Sequence, residues 1–90
     1  MSKLVRALAR KYALDILFFL SSHPGINYSK IESIVGNPRT CSRHLKELTK
    51  LKIIERTVSE DRKVSYKLTT KGRKLVELIK DIIQLEQNCF

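Results

Sequence analysis

Ninety residues with 18 Lys+Arg against 9 Asp+Glu, a formal net charge of +9, describe one small basic domain. A chain this short buries only a little over half of the surface its unfolded form exposes, which leaves room for one core but not for a core and a roomy ligand pocket. The charge is concentrated: residues 30–74 carry 13 basic and 5 acidic side chains, and residues 75–90 carry one basic and three acidic. A solubilising surplus needs no such asymmetry, whereas a polyanionic partner, nucleic acid first, does.

Lys3, Arg6, Arg10 and Lys11 followed by "ALDILFFL" mimic a secretory leader. Asp15 interrupts the run, no small-x-small cleavage site follows, and the run is too short to span a bilayer. A buried helix in a cytoplasmic protein is expected instead, in the host cytoplasm if the chain is viral. That first helix is predicted over residues 3–21, from Val5, Leu8, Tyr12, Ile16 and Phe19 at helical spacing, and "SSHPG" ends it. A second, short helix follows in "NYSKIESIVG", capped by Asn27 or Ser29, with Gly36 as its stop. "NPRTCSRHLKELTKL" is the third, with Asn37 as N-cap and Pro38 in the first helical position. The link between the second and third helices is very short, which is a helix-turn-helix arrangement. "IIERTVS" and "KVSYKLT" alternate like half-buried strands around the polar turn "SEDRK" and form a hairpin. "TKGRKLVELIKDIIQLEQ" is a fourth helix. Leu75, Leu78, Ile79, Ile82 and Leu85 form one stripe on it, and Val76 and Ile83 a second.

At about 100° per residue the third helix has two unlike faces. Cys41, Leu45, Leu48 and Lys52 fall on one side, flanked by Thr40, His44 and Leu51; Arg39, Arg43, Lys46 and Lys50 cluster opposite, bordered by Ser42 and Thr49. Apolar anchoring behind and long donors in front are what a helix in the major groove needs. Arg39 and Arg43 have the reach for guanine or phosphate, Thr40 and Ser42 for bases or phosphate, and Lys46 and Lys50 for phosphates. At the hairpin tip, Arg62 and Lys63 suit the minor groove, with Asp61 placed to hold Arg62 or Arg56; Lys67 and Lys71 are further phosphate candidates.

These segments carry a resemblance. "CSRHLKELTKLKIIERTV" resembles the recognition helix and first wing strand of ArsR-type regulators, with their S-x-H-L-x-x-L core. "DRKVSYKLTTKGRKL" resembles the wing, second strand and start of the last helix of MarR- and HxlR-type regulators, with their D-R and L-T-x-x-G-R signatures. Together they cover roughly residues 26–75. The resemblance implies an α+β winged helix-turn-helix, with the third helix in the major groove, a wing beside the backbone or minor groove, and a homodimer. Ser42, Arg43 and Arg62 take the DNA-contact role by position. Lys52 departs from the pattern, standing where many members have glycine before the strand.

Cys41 and His44 form a Cys-x-x-His, but His23 and Cys89 are the only other residues of either type, too few for a zinc site of this spacing. Core packing for Cys41 and partial burial for His44 is the better reading, and no metal or cofactor is expected. Cys89 lies just past the fourth helix, where two-fold symmetry brings it to its mate for an intersubunit disulfide; a free thiol at a frayed end is the alternative. Intracellular disulfides are rare outside hyperthermophiles, whose chains the Ile-, Leu-, Lys- and Arg-rich composition resembles. No paired carboxylates, nucleophile–base pair or phosphate-binding glycine loop points to an enzyme.

The expectation is one domain over residues 1–90. It has three helices, a two-stranded β-hairpin wing over 53–69 and a long C-terminal dimerisation helix over 70–87, with the helix-turn-helix over 27–51. The function is sequence-specific binding of double-stranded DNA as a homodimeric transcriptional regulator, on half-sites about 34 Å apart or a multiple of that. Leu78, Ile79, Ile82, Leu85 and Cys89 form the dimer interface, and neither membrane nor small-molecule effector takes part. The alternatives are a sequence-tolerant architectural protein on the same fold, and a winged helix that binds protein in a transcription complex.

Overall fold

The computed structural model describes residues 2–88. Its elements run α1 (Lys3–Leu8), α2 (Ala13–Ser22), β1 (Ile26–Asn27), α3 (Tyr28–Val35), α4 (Pro38–Lys50), β2 (Ile54–Val58), β3 (Val64–Leu68) and α5 (Thr70–Asn88). The α+β winged helix-turn-helix is the fold observed, with two amendments. The single helix expected over residues 3–21 is two, because Tyr12 takes a left-handed φ of 74° and turns the chain between α1 and α2. The sheet has three strands rather than two, in the order β1-β3-β2 and antiparallel throughout, since Ile26 and Asn27 pair with Tyr66 and Ser65.

The caps act where short polar side chains precede apolar runs. Asn27 Oδ1 accepts from the Lys30 amide, and Asn37 Oδ1 accepts from both the Arg39 and Thr40 amides, at 3.0 and 3.1 Å. Gly36 closes α3 at φ 78°, a conformation that costs a glycine little. Lys52 stands in the same left-handed region at φ 63°, which is why a glycine suits that position in the pattern.

The core gathers Ile16, Leu17 and Leu20 from α2, Ile31 from α3, Leu45 and Leu48 from α4, Ile53 and Ile54 at the start of the hairpin, and Val76 and Ile79 from α5. Each such side chain contributes about 1.5–3 kcal/mol on burial. At the root of α5, Thr69 is a joint. Its hydroxyl has one proton to give and lies 2.7 Å from the Lys52 carbonyl oxygen and 3.0 Å from that of Ile53, its amide donates to the Ile53 carbonyl, and its hydroxyl oxygen accepts from the Gly72 amide. Gly72 then passes so close that a Cβ there would sit 2.1 Å from the Ile53 carbonyl oxygen.

Beyond this joint α5 leaves the body. Ile79, grouped by sequence with the partner-facing stripe, is 7% exposed and belongs to the core instead, one turn on from Val76. Leu78, Ile82, Ile83 and Leu85 are exposed. The projecting helix gives the molecule a long axis of 51 Å against 23 and 22 Å across. Cys89, with the disulfide expected there, lies outside the described residues.

Candidate nucleic-acid interface

The two faces of α4 separate as its periodicity requires. Cys41, His44, Leu45 and Leu48 are buried, while Arg39, Arg43, Lys46 and Lys50 are exposed. Burial pushes the Cys41 thiol above its ordinary pKa and the His44 imidazole below its own, so both are held neutral inside the core. Among the described residues no group of three or more His, Cys, Asp or Glu side chains is placed to hold a metal ion. Arg10 Nε lies 2.9 Å from Glu47 Oε1, which ties the α1–α2 turn to α4 and pairs the carboxylate that neighbours Arg43 along the helix.

Between α4 and the wing runs a cleft of about 890 Å³. Ser42, Lys46, Thr49 and Lys50 form one wall, Arg56, Lys63 and Val64 the other, and Tyr28, Leu45 and Tyr66 contribute apolar surface between them. Four cations line it and no carboxylate does. An anionic chain laid in the cleft meets donors on both sides and no like charge.

The hairpin register explains the second wall. Ile54 pairs with Leu68, Arg56 with Tyr66 and Val58 with Val64, so these six residues share the face that turns towards the helices. The sheet outruns the core at Arg56, and its guanidinium takes the place of another apolar side chain at the edge of the cleft. The opposite face carries Glu55 and Lys67, whose charged ends are 3.9 Å apart. At the tip, Arg62 adopts a left-handed φ of 65°. The Ser59 hydroxyl donates to the Asp61 carboxylate, and this hydrogen bond holds that carboxyl below its ordinary pKa. Lys63 Nζ is 3.7 Å from the same carboxylate. Asp61 therefore holds Ser59 and Lys63, and not Arg62 or Arg56 as its position suggested.

Of the eight residues predicted to meet DNA, Ser42, Lys46, Lys50 and Lys63 line the cleft. Arg39, Thr40, Arg43 and Arg62 lie outside it, with Arg39 and Arg43 on the exposed face of α4 and Arg62 at the wing tip. Lys67 is on the far face of the sheet, and Lys71 Nζ donates to the Leu51 carbonyl at 3.2 Å. Sequence reasoning missed two contributors. Arg56 was legible in the period of two counted from Ile54, which puts it on the inward face. Tyr28 carried no such signal: it begins α3, and its hydroxyl lies 3.2 Å from the Pro38 carbonyl and 3.0 Å from Ser42 Oγ, across the turn.

The architecture is shared with known proteins. In S. aureus MepR, solved as a DNA complex, 27% of residues are identical over 96% of this chain and 73% of that one, with a TM-score of 0.82. A MepR variant bound to an oligodeoxyribonucleotide is 30% identical over 94% of this chain, with a TM-score of 0.79; this chain spans 66% of that one, just under two thirds. The reduced form of the transcriptional regulator YodB from B. subtilis, at 24% identity and a TM-score of 0.82, shares the fold over 96% of this chain and 88% of its own. No curated protein matches the sequence. Residues 7–90 match the HxlR-like helix-turn-helix family. That span takes in all of the helix-turn-helix, the wing and α5, so the chain belongs to the HxlR-like helix-turn-helix family of transcriptional regulators and is not an enzyme.

Proposed function

We propose that the protein is a homodimeric, sequence-specific regulator that binds double-stranded DNA, with α4 in the major groove and the wing at the backbone or minor groove. One observation carries the reading: a cationic cleft without carboxylates, bounded by a helix anchored in the core and by the inward face of a hairpin. The likeness to MepR in its DNA complex supports it. Arg39 and Arg43 read base edges from the exposed face of α4, with Thr40 at its start. Lys46, Lys50, Lys63 and Arg56 neutralise phosphates along the cleft, and Arg62 reaches from the tip. Such a protein works in the cytoplasm, where DNA is accessible, and no helix among the described residues is long and apolar enough to cross a membrane.

The dimer rests on α5, where Leu78, Ile82 and Leu85 expose 48%, 65% and 66% of their surface at helical spacing. We keep the pairing of Cys89 with its two-fold mate in this proposal, from its sequence position next to the end of α5. A band of monomer size on both reducing and non-reducing gels excludes that pairing.

Binding measured against salt, on selected and random duplexes, tests the reading. Arg43→Ala is expected to cost about 1–3 kcal/mol and to relax base preference, whereas Lys50→Ala and Arg56→Gln weaken all duplexes alike and lower the salt slope by about one each. Steep salt dependence without sequence preference supports a DNA-coating role instead. No binding at low salt supports a protein-binding winged helix.

A further inference from the structure

The Tyr28 hydroxyl makes two contacts with one proton. It lies 3.2 Å from the Pro38 carbonyl oxygen and 3.0 Å from Ser42 Oγ. A phenol has a single proton to give, and a carbonyl oxygen only accepts. Both hydrogen bonds form together in one arrangement: Tyr28 donates to Pro38, and Ser42 donates to Tyr28. The reverse, with Tyr28 donating to Ser42, sets two acceptor oxygens against each other at 3.2 Å. The neutral Cys41 thiol, the other neighbour of Tyr28, is a weaker acceptor than a peptide carbonyl and does not displace it. The Ser42 proton is therefore turned towards the α3–α4 turn, and only its lone pairs remain for whatever enters the cleft. Thr49, two turns along the same wall, is in a similar state, since its hydroxyl donates to the Leu45 carbonyl at 2.7 Å.

We propose that Ser42 is a specificity-determining residue that accepts a hydrogen bond from a base amine, and that Tyr28 is the positioning residue that makes it an acceptor only. The inference rests on α4 lying in the major groove. There every base pair shows one amine, adenine N6 or cytosine N4, opposite an acceptor, thymine O4 or guanine O6. An acceptor-only hydroxyl favours the orientation that brings the amine to it. A phosphate oxygen offers it no proton, so Ser42 belongs with the residues that read bases and not with those that hold the backbone. The preference is expected to be about three- to tenfold, the worth of one neutral hydrogen bond.

The test uses the full-length protein, Ser42→Ala and Tyr28→Phe, each selecting duplexes from a random library. Ser42→Ala is expected to level the base preference at one position of the half-site. At that position the amine is then deleted, with purine in place of adenine or 2-pyrimidinone in place of cytosine. Deletion is expected to weaken the wild type about three- to tenfold and to leave Ser42→Ala unchanged. Tyr28→Phe frees the Ser42 hydroxyl to donate, and it is expected to accept the reversed base pair there as readily as the original one. The inference is overturned if no position responds to Ser42→Ala, or if the wild type ignores amine deletion at the position that does. A wild type with no base preference anywhere sinks the sequence-specific reading as well, which separates the two failures. The Ser42→Ala arm decides the matter even if Tyr28→Phe folds poorly.

Discussion

The body of the molecule and the outer half of α5 are built from the same residues with opposite fates. In the body, Ile16, Leu17, Leu20 and Leu45 have at most 1% of their surface exposed; on α5, Ile82 and Leu85 expose about two thirds of theirs. The helical period is sound in both places. The body closes its apolar surface on itself, through α2, α3, α4, the root of α5 and a sheet. Residues 80–87, in the outer turns of α5, are all exposed, and a short amphipathic helix in water gains little from propensity alone. On the proposed dimer, folding and assembly are therefore encoded in separate stretches, and they should fail separately.

The largest effect is expected from Ile82→Asp combined with Leu85→Asp. In the proposed dimer this removes four apolar side chains from the interface, about 6 kcal/mol of association free energy. Sedimentation should show monomers, and the body should still unfold cooperatively, now with no dependence on concentration. If the doubly substituted protein sediments like the wild type, α5 is not the dimer helix. Gly72→Ala attacks the body instead. A methyl group cannot share space with the Ile53 carbonyl at 2.1 Å, and moving backbone to admit it should cost about 3 kcal/mol in urea denaturation, at any protein concentration. A loss below about 1 kcal/mol would mean that α5 shifts freely on the hairpin.

A smaller effect separates the two regions by pH. Burial, as the main cause, holds the His44 imidazole below its ordinary pKa, partly opposed by a hydrogen bond with the Lys11 backbone. The folded state thus favours neutral His44. Its contribution is complete above the ordinary value of about 6.5 and is lost as pH falls through the lower, folded value, because the unfolded chain takes up the proton first. The urea midpoint of the wild type should fall more between pH 7.5 and 5 than that of His44→Gln. Dimer dissociation should not follow His44, which lies on α4. Identical slopes in the two proteins would remove His44 from the account.

Much of this was legible in the sequence, and the gaps have physical causes. Asn37 and Pro38 marked the start of α4 to the residue, because a cap and a fixed φ act locally. The inward and outward faces of α4 followed from phase alone. The break at Tyr12 did not, since Ala9, Arg10, Lys11 and Tyr12 offer no helix breaker; the break coincides with ties to α4 through Arg10 and the Lys11 backbone. β1 escaped because two residues carry no period, and their pairing partners lie some forty residues away. Ile79 was placed on the wrong stripe because spacing groups residues by face but does not say where along a helix the body ends. Tyr28 was missed because a hydrogen bond across a turn leaves no pattern in the chain.

The joint at Thr69 and Gly72 has a mechanical consequence. From Gly72 to Asn88, α5 extends about 24 Å at 1.5 Å per residue, so a tilt of 10° at its root moves the far end by about 4 Å. Thr69 and Lys71 grip the carbonyls of Leu51, Lys52 and Ile53, the residues in which α4 ends and the hairpin begins. In the proposed dimer each α5 is then a strut held to its reading head by these contacts. On the proposed dimer such a molecule is expected to act as a caliper that gauges the distance between half-sites, and inserting one or two base pairs between them should be penalised even when every contacted base is correct.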